Sequence, residues 1–152
     1  MSLRFEKDIL KMNAMYKLPI APKPTSLVGE LASERLIKFK DILSEECTEI
    51  DEVIESYRAA PPVEESLTML ADLLGDIIVF CASEAAKFGI PIFEVLDIIM
   101  QSNFSKLGED GKPIYDERGK VQKGPGYWKP EPKIRALLQA RIAEHTVYEA
   151  GM

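Results

Sequence analysis

The sequence is poor in the side chains that most often carry metal or covalent chemistry: 152 residues include two cysteines, Cys47 and Cys81, and one histidine, His145. Two cysteines exclude a disulfide framework, and one histidine beside them excludes a thiolate–imidazole zinc site. No pool is left for a Ser-His-Asp or Cys-His triad. No apolar run approaches the roughly 20 residues of a membrane-spanning helix, and the opening MSLRFEKDILK is charged where a signal peptide is apolar. These absences predict a cytoplasmic protein without a membrane partner, whose chemistry rests on carboxylates, lysines or a bound metal. The length suits about one domain. No repeat, low-complexity run or linker divides it, so residues 1–152 are expected to form a single domain.

What is present is charge, unevenly spread. The net charge of −6 conceals a segment from Asp41 to Asp76 with 11 acids and one base, Arg58, and a segment from Asn103 to Arg141 with 9 bases and 5 acids. A nucleic-acid surface needs a broader positive face than this, and none is expected.

Hydrophobic periodicity predicts helices. Leu3 to about Tyr16 has a weak helical pattern that stops at the prolines of LPIAPKP. Leu36, Phe39, Leu43, Cys47, Ile50, Ile54 and Tyr57 recur at steps of three and four, predicting one apolar face on a long helix from about 27 to 58. A second helix, about 64 to 88, is apolar nearly all round and should be buried on more than one side. Two more are predicted over about 91 to 104 and 131 to 146. The Gly- and Pro-rich stretch between them, with Asp110-Gly111 and an Asp116–Gly119 turn, predicts a short hairpin. The expected fold is all-α, a four- to five-helix bundle with a hairpin-like basic insert.

Most acidic helical runs are solvated faces, and Asp51, Glu52 and Glu55 are read so. Glu46 and Glu49 instead edge the apolar stripe when residues are advanced 100° each. Asp72 and Asp76, one turn apart on the apolar helix with no local base, repel each other. Burying such carboxylates is costly unless they are paired, protonated or bound to metal. Four carboxylates from two helices suit a hard cation, Mg²⁺ or Mn²⁺, better than zinc.

At these residues the chain resembles the all-α nucleoside triphosphate pyrophosphohydrolases, the superfamily of MazG and phosphoribosyl-ATP pyrophosphohydrolase. Glu45-Glu46-Cys47-Thr48-Glu49 matches the EExxE element of that family. Leu73-Leu74-Gly75-Asp76 matches its ExxD element except that Leu73 stands at the glutamate. Phe88-Gly89-Ile90, Asn103-Phe104-Ser105-Lys106 and Gly126-Tyr127-Trp128-Lys129-Pro130 resemble the phosphoribosyl-ATP-pyrophosphohydrolase-like branch. The resemblance spans roughly residues 5–140.

The resemblance implies Mg²⁺-dependent hydrolysis of an NTP or dNTP to the monophosphate and pyrophosphate by a homodimer or a dimer of dimers. It implies Glu46, Glu49 and Asp76 as metal ligands and Glu45 as a ligand or the group that orients the attacking water. Asp72 is the expected substitute for the missing glutamate. Asn103, Lys106 and Lys123 are expected to hold phosphates, and Tyr127 or Trp128 to stack on a base or anchor the insert. The alternative, motivated by Leu73, is a catalytically weak or inactive nucleotide-binding or oligomerisation module of the same fold.

Overall fold

The computed structural model describes the backbone of residues 2–150 and the side chains of residues 4–144. It is all-α, with five helices: α1 Ser2–Met15, α2 Ala32–Arg58, α3 Val63–Lys87, α4 Ile92–Phe104 and α5 Glu131–Ala150. The chain divides into two compact units, Met1–Ile90 and Pro91–Met152. The side chain of His145 lies outside the described residues.

In the first unit α2 and α3 form a long antiparallel hairpin, and α1 packs on α3. Pro61 and Pro62 end α2, because a proline can neither donate a helical hydrogen bond nor follow a helical residue without a clash, and Pro62 caps α3. The buried residues of α2 are Arg35, Glu46 and Val53; on α3 they include Glu84, Leu73 and Ser66. Both sets are spaced by eleven and then seven residues, in opposite chain directions. That is one antiparallel seam, since both intervals are close to whole turns at about 3.6 residues per turn. The seam ends in charge at one side: Arg35 Nε donates to Glu84 Oε1 at 2.8 Å and Lys87 Nζ to Glu84 Oε2 at 2.9 Å, all three buried. At the other end the hydroxyls of Ser56 and Ser66 meet at 2.8 Å. Helix α1 is locked by Asn13, which donates to the Ser83 carbonyl at 3.2 Å and accepts from Ser83 Oγ at 2.6 Å.

Two expectations about burial are overturned. The Leu36–Tyr57 stripe is not the buried face of α2. Leu36, Cys47, Ile50, Ile54 and Tyr57 are exposed, and the face turned to α3 lies about 70° further round the helix. Helix α3 is likewise not buried on several sides, for Leu67, Leu74, Ile78 and Cys81 face solvent, as do Asp72 and Asp76. The hydrophobic pattern gave the direction of the apolar surface. The contact inside the chain instead includes the Arg35–Glu84–Lys87 cluster, whose partners meet in this register. Helix α2 also starts five residues later than expected, because Gly29 adopts φ +81° in the segment before it.

The segment joining α1 to α2 runs back along the end of α3: Ala21 N–H donates to the Ala86 carbonyl and Thr25 N–H to the Phe88 carbonyl. Gly89 ends this helix with φ +65°, and a β-carbon there would collide with the Lys23 carbonyl. Gly89→Ala is therefore expected to destabilise the first unit by more than the roughly 1–2 kcal/mol of a left-handed non-glycine residue alone, read as a lowered midpoint in urea.

In the second unit an Arg141–Glu94 ion pair joins α5 to α4. The expected hairpin reduces to one antiparallel bridge, Tyr115–Val121, closed by Asp116, whose Oδ1 accepts from Arg118 N at 2.9 Å and Lys120 N at 2.8 Å. The insert is fastened to α4 by Ser102 Oγ donating to the Trp128 carbonyl at 2.9 Å. Gly124 passes so close to the Leu107 carbonyl that no side chain fits there.

Candidate metal centre and basic insert

The two outward surfaces of the α2–α3 hairpin differ in kind. In an antiparallel pair, equal rotation from the seam on either helix leads to the same face. On one side, about 50–110° from the seam, lie Glu49 and Glu45 of α2 and Asp76 and Asp72 of α3. The apolar residues left uncovered lie on the other. Glu46 sits in the seam itself, at the level of Leu73.

Glu46 is the unusual member. It is 7% exposed, and its Oε2 is buried without a hydrogen-bond partner. Its carboxyl is held above its ordinary value of 4.5, first by desolvation and then by the negative charges of Glu49, Asp76, Glu45 and Asp72 in that order. Those four are the carboxylates singled out from the sequence, and each raises the Glu46 carboxyl by its negative charge. Asp72 contributes least, as a residue one helical step from the seam should. Leu73, 4% exposed, occupies the inner layer of α3 and offers no oxygen there.

As they are turned, no three His, Cys, Asp or Glu side chains among the described residues form a ready cage. The acids beside Glu46, Glu45 and Glu49 on α2 and Asp72 and Asp76 on α3, are exposed. The donor set is entirely oxygen, and the buried unpartnered Oε2 is what a hard cation would satisfy. The residues present therefore fit a Mg²⁺- or Mn²⁺-type ion.

The raised carboxyl has a thermodynamic consequence. A group that holds its proton more tightly when folded adds no penalty below its unfolded value, and destabilises the folded state increasingly as pH rises through its folded value. Glu46→Gln should thus raise the melting temperature of the metal-free protein at pH 7 and leave it nearly unchanged below about pH 4, a comparison made by calorimetry in chelator. Equal melting temperatures at pH 7 would show that Glu46 is not strained.

The second unit carries the other expected residues. Lys106 and Lys123 place their ammonium groups 5.9 and 5.0 Å from the centre of the Tyr127 ring, which they hold by cation–π attraction. Asn103 is exposed near the end of α4. Trp128 is engaged differently, with Lys133 Nζ 3.7 Å from its ring centre and its backbone bonded to Ser102 and Ser105. These contacts tie Trp128 to α4 and α5, and no motif marks Lys133. The Arg35–Glu84–Lys87 cluster was equally unmarked, because its members lie 49 and 3 residues apart on helices whose register only the fold sets.

An all-α hairpin with carboxylates ranged along one face, followed by a smaller helical unit with a basic insert, is the class of protein this fold defines. It is similar to a solved structure from Exiguobacterium sp. 255-15 described as a "putative NTP pyrophosphohydrolase", with a TM-score of 0.52 and 23% identity, over 93% of this chain and 97% of that one. The likeness shows a shared all-α fold over nearly the whole length. No protein-family model matches the chain, and no curated protein matches it.

Proposed function

We propose that this protein is a divalent-metal-dependent nucleoside triphosphate pyrophosphohydrolase, cleaving an NTP or dNTP to the monophosphate and pyrophosphate. The observation that carries the reading is the buried, unpartnered Glu46 Oε2 ringed by the charges of Glu49, Asp76, Glu45 and Asp72. The neighbouring fold, whose bearer is described by that activity, and the EExxE element support it.

Glu46, Glu49 and Asp76 would hold the ion, with Asp72 at its margin. When bound, such an ion neutralises phosphate oxygens and lowers the pKa of a coordinated water. Glu46 is the buried member of this set. Glu45, exposed on the adjacent position of α2, would accept a proton from the attacking water. In the second unit, considered by itself, Lys106 and Lys123 beside Tyr127 would be the residues to attract phosphate oxygens, and Asn103 would add a neutral donor. No histidine or covalent nucleophile is required.

Leu73 favours a second reading, a nucleotide-binding module with little or no turnover, because the inner layer of α3 lacks a carboxylate. Incubation with a panel of NTPs and dNTPs plus Mg²⁺ or Mn²⁺ separates the two. Pyrophosphate release from at least one nucleotide, abolished by chelator, is the expected result. Nucleotide binding without turnover on either metal would establish the module instead.

A further inference from the structure

We propose that the carboxylate face of the α2–α3 hairpin takes up one divalent cation per chain in the absence of nucleotide, and that Leu73 is the residue that keeps a second ion out. The inference rests on the metal-dependent reading above and adds to it the number of ions and what sets that number. Two cations that share one site stand about 3.5–4 Å apart. Two dications at that distance repel about four times as strongly as two unit charges, so anionic oxygens have to reach both of them.

The oxygens best protected from water are those of the layer where the two helices meet. On α2 that layer offers Glu46, 7% exposed, whose Oε2 is buried and has no hydrogen-bond partner. At the same level of α3 it offers Leu73, 4% exposed, a side chain without oxygen. One orphaned oxygen calls for one ion. A second cation on the α3 side of Glu46 would exchange water for the methyl groups of Leu73, and a charge that loses water without gaining a ligand is strongly destabilised.

The remaining carboxylates do not make up the loss. Glu45, Glu49, Asp72 and Asp76 are all exposed and all lie on one side of the seam, whereas the other side carries Cys47, Ile50, Leu74 and Ile78. An ion on Glu46 Oε2 is thus approached by carboxylates from one side, which is sufficient for a Mg²⁺-type cation that takes one or two carboxylates and completes its shell with water or phosphate oxygens. Cys47 adds a soft sulfur that such an ion does not select. Asp72 does not stand in for an oxygen at Leu73, because one helical step turns it by about 100° to the outer surface, and its charge is the least felt of the four at Glu46.

The test counts Mn²⁺ on the full chain without nucleotide, by the paramagnetic resonance of free and bound ion. The wild-type protein should saturate at one ion per chain, with the resolved hyperfine spectrum of an isolated ion. Asp72→Asn should leave the count at one. Leu73→Glu should raise it to two, with a spectrum broadened by coupling between ions about 4 Å apart. That variant sets two carboxylates against each other in the seam, so its helical circular dichroism should fall in chelator and return with Mn²⁺; if it folds in neither, the wild-type and Asp72→Asn counts decide. A wild-type count of two, a count that drops in Asp72→Asn, or a folded Leu73→Glu that still takes one ion would each overturn the proposal while pyrophosphate release from the wild-type protein left the metal-dependent reading standing. A wild-type protein that binds no Mn²⁺ and releases no pyrophosphate would overturn both.

Discussion

Glu49→Gln and Asp76→Asn should each lower Mg²⁺-dependent pyrophosphate release by at least about a hundredfold while leaving the helical content unchanged. Both side chains are exposed, so their loss costs the fold nothing that burial supplied. Their charges are the two strongest influences on the Glu46 carboxyl after desolvation. Removing either lessens the field that draws a cation to Glu46. Titration with Mn²⁺, followed by the loss of its free-ion resonance, should show weaker binding in each variant. Relief of repulsion should also make both variants slightly more stable than the parent without metal and lose that advantage when metal is added. If Asp76→Asn kept full Mg²⁺-dependent activity, the centre would not lie between these helices. Asp72→Asn should have the smaller effect, because its charge is felt least at Glu46.

Glu84→Ala should be the most destabilising single substitution in the first unit. Glu84 is 5% exposed and accepts from both Arg35 and Lys87, which are themselves buried. Removing one member of a buried ion cluster typically costs about 3–5 kcal/mol, since the charges left behind have neither partner nor water. Arg35 retains a longer approach to Glu30 at 3.8 Å, whereas among the ion pairs described here Lys87 has only Glu84. Equilibrium urea unfolding should therefore show a lowered midpoint, and lysine-to-methionine substitution at 87 should recover part of the loss in the Glu84→Ala background. A loss below about 1 kcal/mol would mean that water reaches the cluster.

The helices were legible in the sequence because their punctuation is local. Pro61-Pro62, Gly89 with Pro91 and the Gly- and Pro-rich insert act through their own backbone torsions, and α3, α4 and the start of α5 fall within one residue or so of the expected positions. The carboxylates were legible for a similar reason. Residues spaced by three or four on a helix share a face whatever that helix packs against. The hairpin of the insert was legible as a turn and less so as a ladder, since Asp116 shapes the turn by itself while strand pairing needs residues that here make only one bridge.

The seam was not legible. An amphipathic stripe says that a surface avoids water, and it does not say whether the cover comes from the same chain. The periodicity of α2 predicts the stripe as the inner face, and Leu36, Ile50, Ile54 and Tyr57 in it are exposed. The inner face instead holds an arginine, a glutamate and a valine, two of which look like surface residues until Glu84 and Lys87 are brought beside Arg35 from across the hairpin.

By itself, the sequence determined that this protein is all-α and that Glu46 with Glu49, and Asp72 with Asp76, share a helix face, because both follow from composition and helical period. The tertiary structure alone decided that Glu46 is the buried member, that Leu73 closes the layer beside it, and that the most regular apolar stripe faces outward. Those depend on which faces of α2 and α3 meet, and the meeting faces carry a buried ionic cluster whose members come from both helices, 49 residues apart in the chain.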